Sequence, residues 1–162
     1  PMPDQEAFKI AKSQAFKHLS YRDRSKKEIA EHLAKKGHTA SIVQAILQDL
    51  ENLNYINDHR FAKEWSRCRI EVKNFGRKRL RHELIAKGVS THIIESTLDT
   101  LYNFHPEQGL ALACANKKLA SLHGVEPEKK TRRLAQYLQR RGFSADIIYE
   151  TLKISTTKDG GK

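Results

Sequence analysis

Three glycines, Gly37, Gly88 and Gly142, each close the same pattern, and that repeat limits what this chain can fold into. The pattern runs from an aliphatic residue to a Leu four positions on and a Gly four further. Ser or Thr follows two after the Gly, then two adjacent β-branched residues and a final Leu. The first copy is Ile29, Leu33, Gly37, Thr39, Ile42, Val43 and Leu47; the second is Leu80, Leu84, Gly88, Ser90, Ile93, Ile94 and Leu98. The third is Leu134, Leu138, Gly142, Ser144, Ile147, Ile148 and Leu152, so the glycines lie 51 and 54 residues apart. Aliphatic residues four apart share one helix face. A Gly at the end of such a face takes the left-handed conformation that closes a helix, and a hydroxyl two residues later accepts from a free N–H of the next helix. Each copy therefore predicts one helix ending at the Gly and another starting beyond it.

A further amphipathic stretch precedes each pair: Ala7 to Leu19, Phe61 to Val72 with Trp65 and Cys68 on its apolar stripe, and Leu110 to Leu119. The spacing of three and four is helical. The predicted unit is helix a, helix b, Gly corner, helix c, three times over, with no competing strand pattern. Val89 and Phe143, just before their caps, are placed to staple onto Ile94 and Ile148, whereas His38 stands there in the first copy and predicts a looser corner. The fold class is thus all-α, three tandem three-helix repeats over 6–54, 55–105 and 106–154, with polar tails at 1–5 and 155–162 expected to be disordered. Units of this size bury little surface alone and borrow stability from their neighbours. With 38% hydrophobic and 30% charged residues, the chain has the polar surface of an elongated body.

Several function classes drop out. No apolar run reaches the roughly 18 to 20 residues that span a bilayer, so a cytoplasmic protein with no membrane partner is expected. Cys68 and Cys114 belong to no metal-binding or disulfide pattern and are expected to be small buried groups. No two of the eight histidines are four apart, and no phosphate-loop, dinucleotide, nucleophile-elbow or zinc-protease motif is present. No enzyme activity, catalytic residue, metal or cofactor is expected.

A net charge of +11 favours a polyanionic partner. The charge is concentrated: Arg60 to Lys87 holds ten Lys and Arg against Glu64, Glu71 and Glu83. Arg60, Lys63 and Arg67 form a cationic stripe beside the apolar stripe of their helix, and Arg77, Lys78 and Arg81 follow. Arg140 and Arg141 belong to a weaker basic region in the third copy. The stretches Thr39 to Asn54, Ser90 to Phe104 and Ser144 to Leu152 contain acids and neither Lys nor Arg, which does not suit a recognition helix reading bases in the major groove. Phe8, Phe16, Phe61, Trp65 and Tyr137 are assigned to the core.

In four places the chain resembles the RecX family of recombination regulators, over about Ala7 to Leu152. Arg22-Asp-Arg-Ser-Lys-Lys-Glu-Ile29 is similar to the family's Arg-x-x-Ser-x-x-Glu-Leu, and Tyr55-Ile-Asn-Asp-His-Arg-Phe-Ala62 to its Ile-Asp-Asp-x-Arg-Phe-Ala. Gly76 with Arg79 to Gly88, and Leu138 to Phe143, complete the set, with Asn57 where the family usually has Asp. The resemblance implies a curved nine-helix protein, acting without a cofactor, that binds RecA recombinase filaments on single-stranded DNA. It implies inhibition of the filament's ATPase, strand exchange and coprotease activity by blocking growth and promoting disassembly, in homologous recombination, DNA repair and the SOS response. The candidate partner-binding or nucleic-acid-binding residues are Arg60, Lys63, Arg67, Arg77, Lys78, Arg81, Arg140 and Arg141. A monomer is expected, in contact with the filament and with single- or double-stranded DNA as a candidate second partner. The alternative is a basic helical-repeat protein that binds DNA without RecA, with salt-dependent affinity for bare DNA.

Overall fold

A computed structural model describes the backbone of residues 3–160 and the side chains of residues 4–157. Among the described residues the chain forms nine helices: α1 (Pro3–Leu19), α2 (Lys26–Lys35), α3 (Ala40–Asn52), α4 (Asp58–Lys73), α5 (Arg77–Ala86), α6 (Thr91–Phe104), α7 (Glu107–Ser121), α8 (Pro127–Arg140) and α9 (Ala145–Gly160). They fall into the a, b, c order three times. Gly37, Gly88 and Gly142 have φ of 90°, 78° and 97°, the left-handed region open to glycine. At each corner the residue after the Gly donates back into the helix just ended: His38 to Leu33, Val89 to Leu84 and Phe143 to Leu138. The Thr39 and Ser144 hydroxyls accept the backbone N–H of Ile42 at 3.3 Å and of Ile147 at 3.4 Å. His38 does not leave its corner untied, because its Nε2 lies 2.6 Å from the Gln14 amide oxygen on α1.

The chain divides into two compact units. One holds residues up to Lys63 together with Leu84–Ile94; the other holds Glu64–Glu83 and the residues from Glu95 on. In the first unit α1, α2 and α3 pack around Ala11, Ala15, Ile29, Leu33, Ile46 and Leu50, with Phe8 and Phe16 against them. In the second, α7, α8 and α9 pack around Ala111, Cys114, Ala115, Leu134, Leu138 and Phe143, with Tyr137 against them. Aliphatic burial of this kind contributes about 25 cal/mol per Å².

Each unit contains a junction built to the same plan. In the first, the Lys26 N–H at the start of α2 donates to the carboxylate of Asp58, the first residue of α4, at 2.9 Å. The Ser25 hydroxyl donates to the Lys87 carbonyl at 2.7 Å, and Lys27 Nζ to the Ala86 carbonyl at 3.2 Å. In the second, the Arg77 N–H at the start of α5 donates to the carboxylate of Glu107, the first residue of α7, at 2.8 Å. The Gly76 N–H donates to the Arg141 carbonyl at 2.8 Å and the Lys78 N–H to the Gly142 carbonyl at 3.1 Å. A helix b is thus capped by the first acid of the next helix a and clasped by the corner that closes the next helix b.

Three expectations change. Cys114 is buried but Cys68 is exposed, and Val72 is 72% exposed. The buried face of α4 carries Phe61, Ala62, Ser66 and Ile70, turned from the expected stripe because a serine occupies one core position and hides it from an apolar pattern. Trp65 instead sits half-buried at the boundary, where its indole N–H donates to Glu83 at 3.1 Å. The tails also differ: α1 begins at Pro3, with Asp4 and Glu6 suiting the positive end of its dipole. Helix α9 continues to Gly160, with Ser155 buried and the hydroxyls of Thr156 and Thr157 satisfied by the carbonyls of Leu152 and Lys153. The remainder of the tail expectation, at Pro1, Met2, Gly161 and Lys162, lies outside the described residues.

Candidate functional site

The basic residues gathered in the middle of the sequence do not form one free cationic face. Four of the six candidates there are tied into the fold. Arg60 donates to the carbonyls of Asn54 and Tyr55 at 3.2 and 3.3 Å and lies 3.5 Å from Asp23. Arg67 is held at 2.9 Å by Glu64 and by Glu71 on its own helix. Arg77 reaches Glu95 at 2.7 Å and Asp99 at 2.6 Å, while Arg81 meets Glu95 at 2.7 Å. The acids of α6 therefore hold the cations of α5. Lys63 and Lys78 are exposed and have no ion-pair partner among the described residues.

The two guanidiniums also fix the protonation of Glu95. Hydrogen bonds from Arg81 and then Arg77 outweigh burial and bring its carboxyl down to about 2 from an ordinary value of 4.5. A carboxyl whose pKa is lower folded than unfolded stabilises the fold above the unfolded value, and that contribution fades as pH falls through the folded one. The urea midpoint of the protein should therefore exceed that of Glu95→Gln at neutral pH, and the gap should close between about pH 4.5 and 2. A gap that does not change with pH would show that the pair contributes nothing through charge.

Arg140 and Arg141 belong to a second arrangement. They line a groove of about 630 Å³ with Lys73, Arg79, Lys117 and Lys118, and none of its described lining residues is acidic. The loop after α4 builds its floor. Asn74 takes a left-handed φ of 53°, and the carbonyl of the buried Phe75 accepts the Tyr102 hydroxyl at 2.7 Å. The Arg79 guanidinium lies 3.9 Å from the centre of the Phe75 ring, with Arg141 at 5.4 Å. Arg141 also donates to the Lys73 carbonyl at 2.9 Å, and Arg79 to the Arg140 carbonyl at 3.2 Å. Lys118 and Arg141 stand 5.1 and 5.0 Å from the centre of the Tyr137 ring. Cation–π contacts and carbonyl bonds thus hold two of the cations in place. Charge along the chain singles out Arg140 and Arg141 and counts Lys73 and Arg79 only as part of the middle cluster, and it gives no sign of Phe75, Lys117 or Lys118. The repeat itself holds a signal that would have found the groove: the 51-residue offset sets Arg79 against Glu28.

Comparison with known proteins gives this architecture a family. The models of the first, second and third three-helix domains of RecX match residues 11–50, 57–98 and 106–152. The chain belongs to the RecX family. A protein named regulatory protein RecX from Prosthecochloris aestuarii is 33% identical over 154 residues, covering 93% of this chain and 96% of its own. One from Amycolatopsis mediterranei is 29% identical over 152 residues, covering 94% and 86%. The crystal structure of RecX from Lactobacillus salivarius superimposes with a TM-score of 0.79 at 25% identity, over 92% of this chain and 96% of that one. The three-repeat, all-α architecture is therefore the RecX one, and the chain is a regulatory protein of that family. Among the described residues no helix is long and apolar enough to cross a membrane.

Proposed function

We propose that this chain regulates a RecA recombinase in the cytoplasm, acting as a monomer and without a cofactor. It binds RecA filaments on single-stranded DNA and inhibits their ATPase, strand exchange and coprotease activity by blocking growth and promoting disassembly. One observation carries this reading: three RecX domains in order, with relatives named regulatory protein RecX matching over nearly the whole chain. The surface supports it through charge. Lys63, Lys78 and Arg140 are exposed cations with no acid at ion-pair distance among the described residues, suited to acidic protein surface or phosphate. Arg60, Arg67, Arg77 and Arg81 serve mainly to hold the helices they pair.

The deciding experiment titrates preformed RecA filaments with the protein and follows ATP hydrolysis, with bare-DNA binding measured in the same salt. Falling hydrolysis at protein concentrations too low to bind bare DNA supports the proposal; unaffected hydrolysis ends it. Steep salt-dependent binding to bare DNA with no effect on the filament would favour the alternative of a DNA-binding protein acting without RecA. Lys63→Glu combined with Lys78→Glu should raise the half-inhibiting concentration about tenfold, equivalent to about 1.4 kcal/mol, because reversing exposed charges at a docking surface sets like charges against each other. Unchanged inhibition would remove both lysines from the contact.

A further inference from the structure

The two junctions bring together equivalent helix starts and corners, through side-chain donors in the first and backbone donors in the second, and they differ in charge where Glu28 and Arg24 face Arg79 and Phe75. Shifting the first unit by 51 residues sets Ser25 on Gly76, Lys26 on Arg77 and Lys27 on Lys78, and shifting Lys87 by 54 sets it on Arg141. Their hydrogen bonds agree with this pairing, since Ser25 and Gly76 donate to the carbonyls of Lys87 and Arg141 respectively. At the centre of the first junction stands Glu28, whose carboxylate gathers Arg22, Arg24 at 3.8 Å and Lys87 at 3.3 Å. At the centre of the second stands Arg79, with Lys73 where the first has Arg22 and Arg141 where it has Lys87. Two of the three surrounding cations are kept, while the acid that neutralises them has become a cation. Phe75, in the place of Arg24, offers a ring face, and Glu83 reaches Arg79 at 3.4 Å while also holding Arg69 at 2.7 Å and Trp65. Neither supplies a carboxylate to the groove.

We infer that this groove is a binding site for the phosphodiester backbone of a single nucleic-acid strand, the external counterpart of the carboxylate that Glu28 supplies internally. A second cavity shares Arg79 and Arg140 with it and adds Lys78 and His82, with Arg81 at its edge already held by Glu95 and no acid among its described lining residues. The cations therefore form a track, which fits a chain of charges better than one small anion. An acidic peptide is disfavoured by what the track lacks. Arg clusters can also take acidic motifs, but most peptide docking adds backbone pairing or side-chain pockets, and here the Gly76 and Lys78 N–H groups are already bonded and the Phe75 and Tyr137 rings are faced by cations. What remains on offer is charge, which is how proteins hold a phosphate backbone without reading sequence.

The test uses the full chain with no recombinase present, so its failure would leave the filament reading untouched. Lys117→Glu, Lys118→Glu and Arg140→Glu are combined in one variant. Lys9→Glu, Lys17→Glu and Lys36→Glu, exposed sites on α1 and after α2, make a control of equal charge change. Binding of a labelled oligothymidylate of about 20 nucleotides is followed by anisotropy between about 50 and 200 mM salt. The groove variant should bind about tenfold more weakly than the control, and its slope of log affinity against log salt should be smaller by about 2, from three lost phosphate contacts. Equal losses in the two variants, or no binding by the unmodified protein, would overturn the assignment. So would displacement of the strand by polyglutamate or by inorganic tripolyphosphate as effectively as by unlabelled strand at matched charge, which would point to an acidic chain or a small polyphosphate. Should the glutamate variant lose its helical circular dichroism, the glutamine versions of both sets give the same comparison.

Discussion

Gly142→Ala is expected to destabilise the protein by about 3 kcal/mol or more, against about 1 kcal/mol for Gly37→Ala at the equivalent corner. Both glycines have positive φ, 97° and 90°, so an alanine at either adopts a conformation disfavoured by about 1–2 kcal/mol. Their surroundings separate them. A Cβ on Gly37 meets nothing within 4 Å, whereas one on Gly142 would lie 2.4 Å from Arg79 Cβ, 2.5 Å from the Arg79 backbone nitrogen and 2.9 Å from the Gly76 carbonyl oxygen. Backbone cannot rotate away as a side-chain tip can, so relief requires parting the Gly76–Arg141 and Lys78–Gly142 hydrogen bonds. Overpacking of this kind typically costs about 1–3 kcal/mol beyond the conformational strain. Urea denaturation of the two variants measures the contrast, and equal losses would mean that the clasp yields freely.

Glu28→Gln should cost about 2–4 kcal/mol, the second largest effect expected here. The Glu28 side chain is only 12% exposed, yet it serves Arg22, Arg24 and Lys87 and accepts the Ser25 N–H at 3.1 Å as half of a capping box. Burial alone would raise its pKa, but the hydrogen bonds from Arg22 and the Ser25 backbone outweigh it and leave it below the ordinary carboxylate value. Glutamine keeps the size and one acceptor oxygen and removes the charge that offsets three cations. The same denaturation measurement applies, with Glu31→Gln, an exposed acid one turn on, as a control expected to change stability by less than about 0.5 kcal/mol. A Glu28→Gln loss no larger than the control's would show that solvent already neutralises those cations.

The helices and corners were legible because they depend on local chemistry. Gly37, Gly88 and Gly142 announce left-handed corners, and the aliphatic pairs before them announce a buried face. The α4 face was misread by one position because Ser66 is buried and Val72 is exposed, and an apolar pattern cannot register a polar core residue. Charge was legible as an amount and not as an arrangement. Arg77 and Arg81 read as free cations because their acid, Glu95, lies 18 and 14 residues along the chain on another helix. The groove was hidden for a related reason: Arg141 and Arg140 join Arg79 and Phe75 only once the end of α8 has docked on the start of α5.

The acids that cap α2 and α5 have a consequence for the order in which the chain becomes stable. Asp58 and Glu107 are synthesised after the helices they cap, as are the Lys87 and Arg141 carbonyls that clasp the same helix starts. As the nascent chain emerges, the first amides of α2 and α5 stay on water until the following repeat arrives. Pro127 opens α8 with no amide hydrogen at that position, so this bond, which the earlier helices take from a later segment, is one the last helix b never requires.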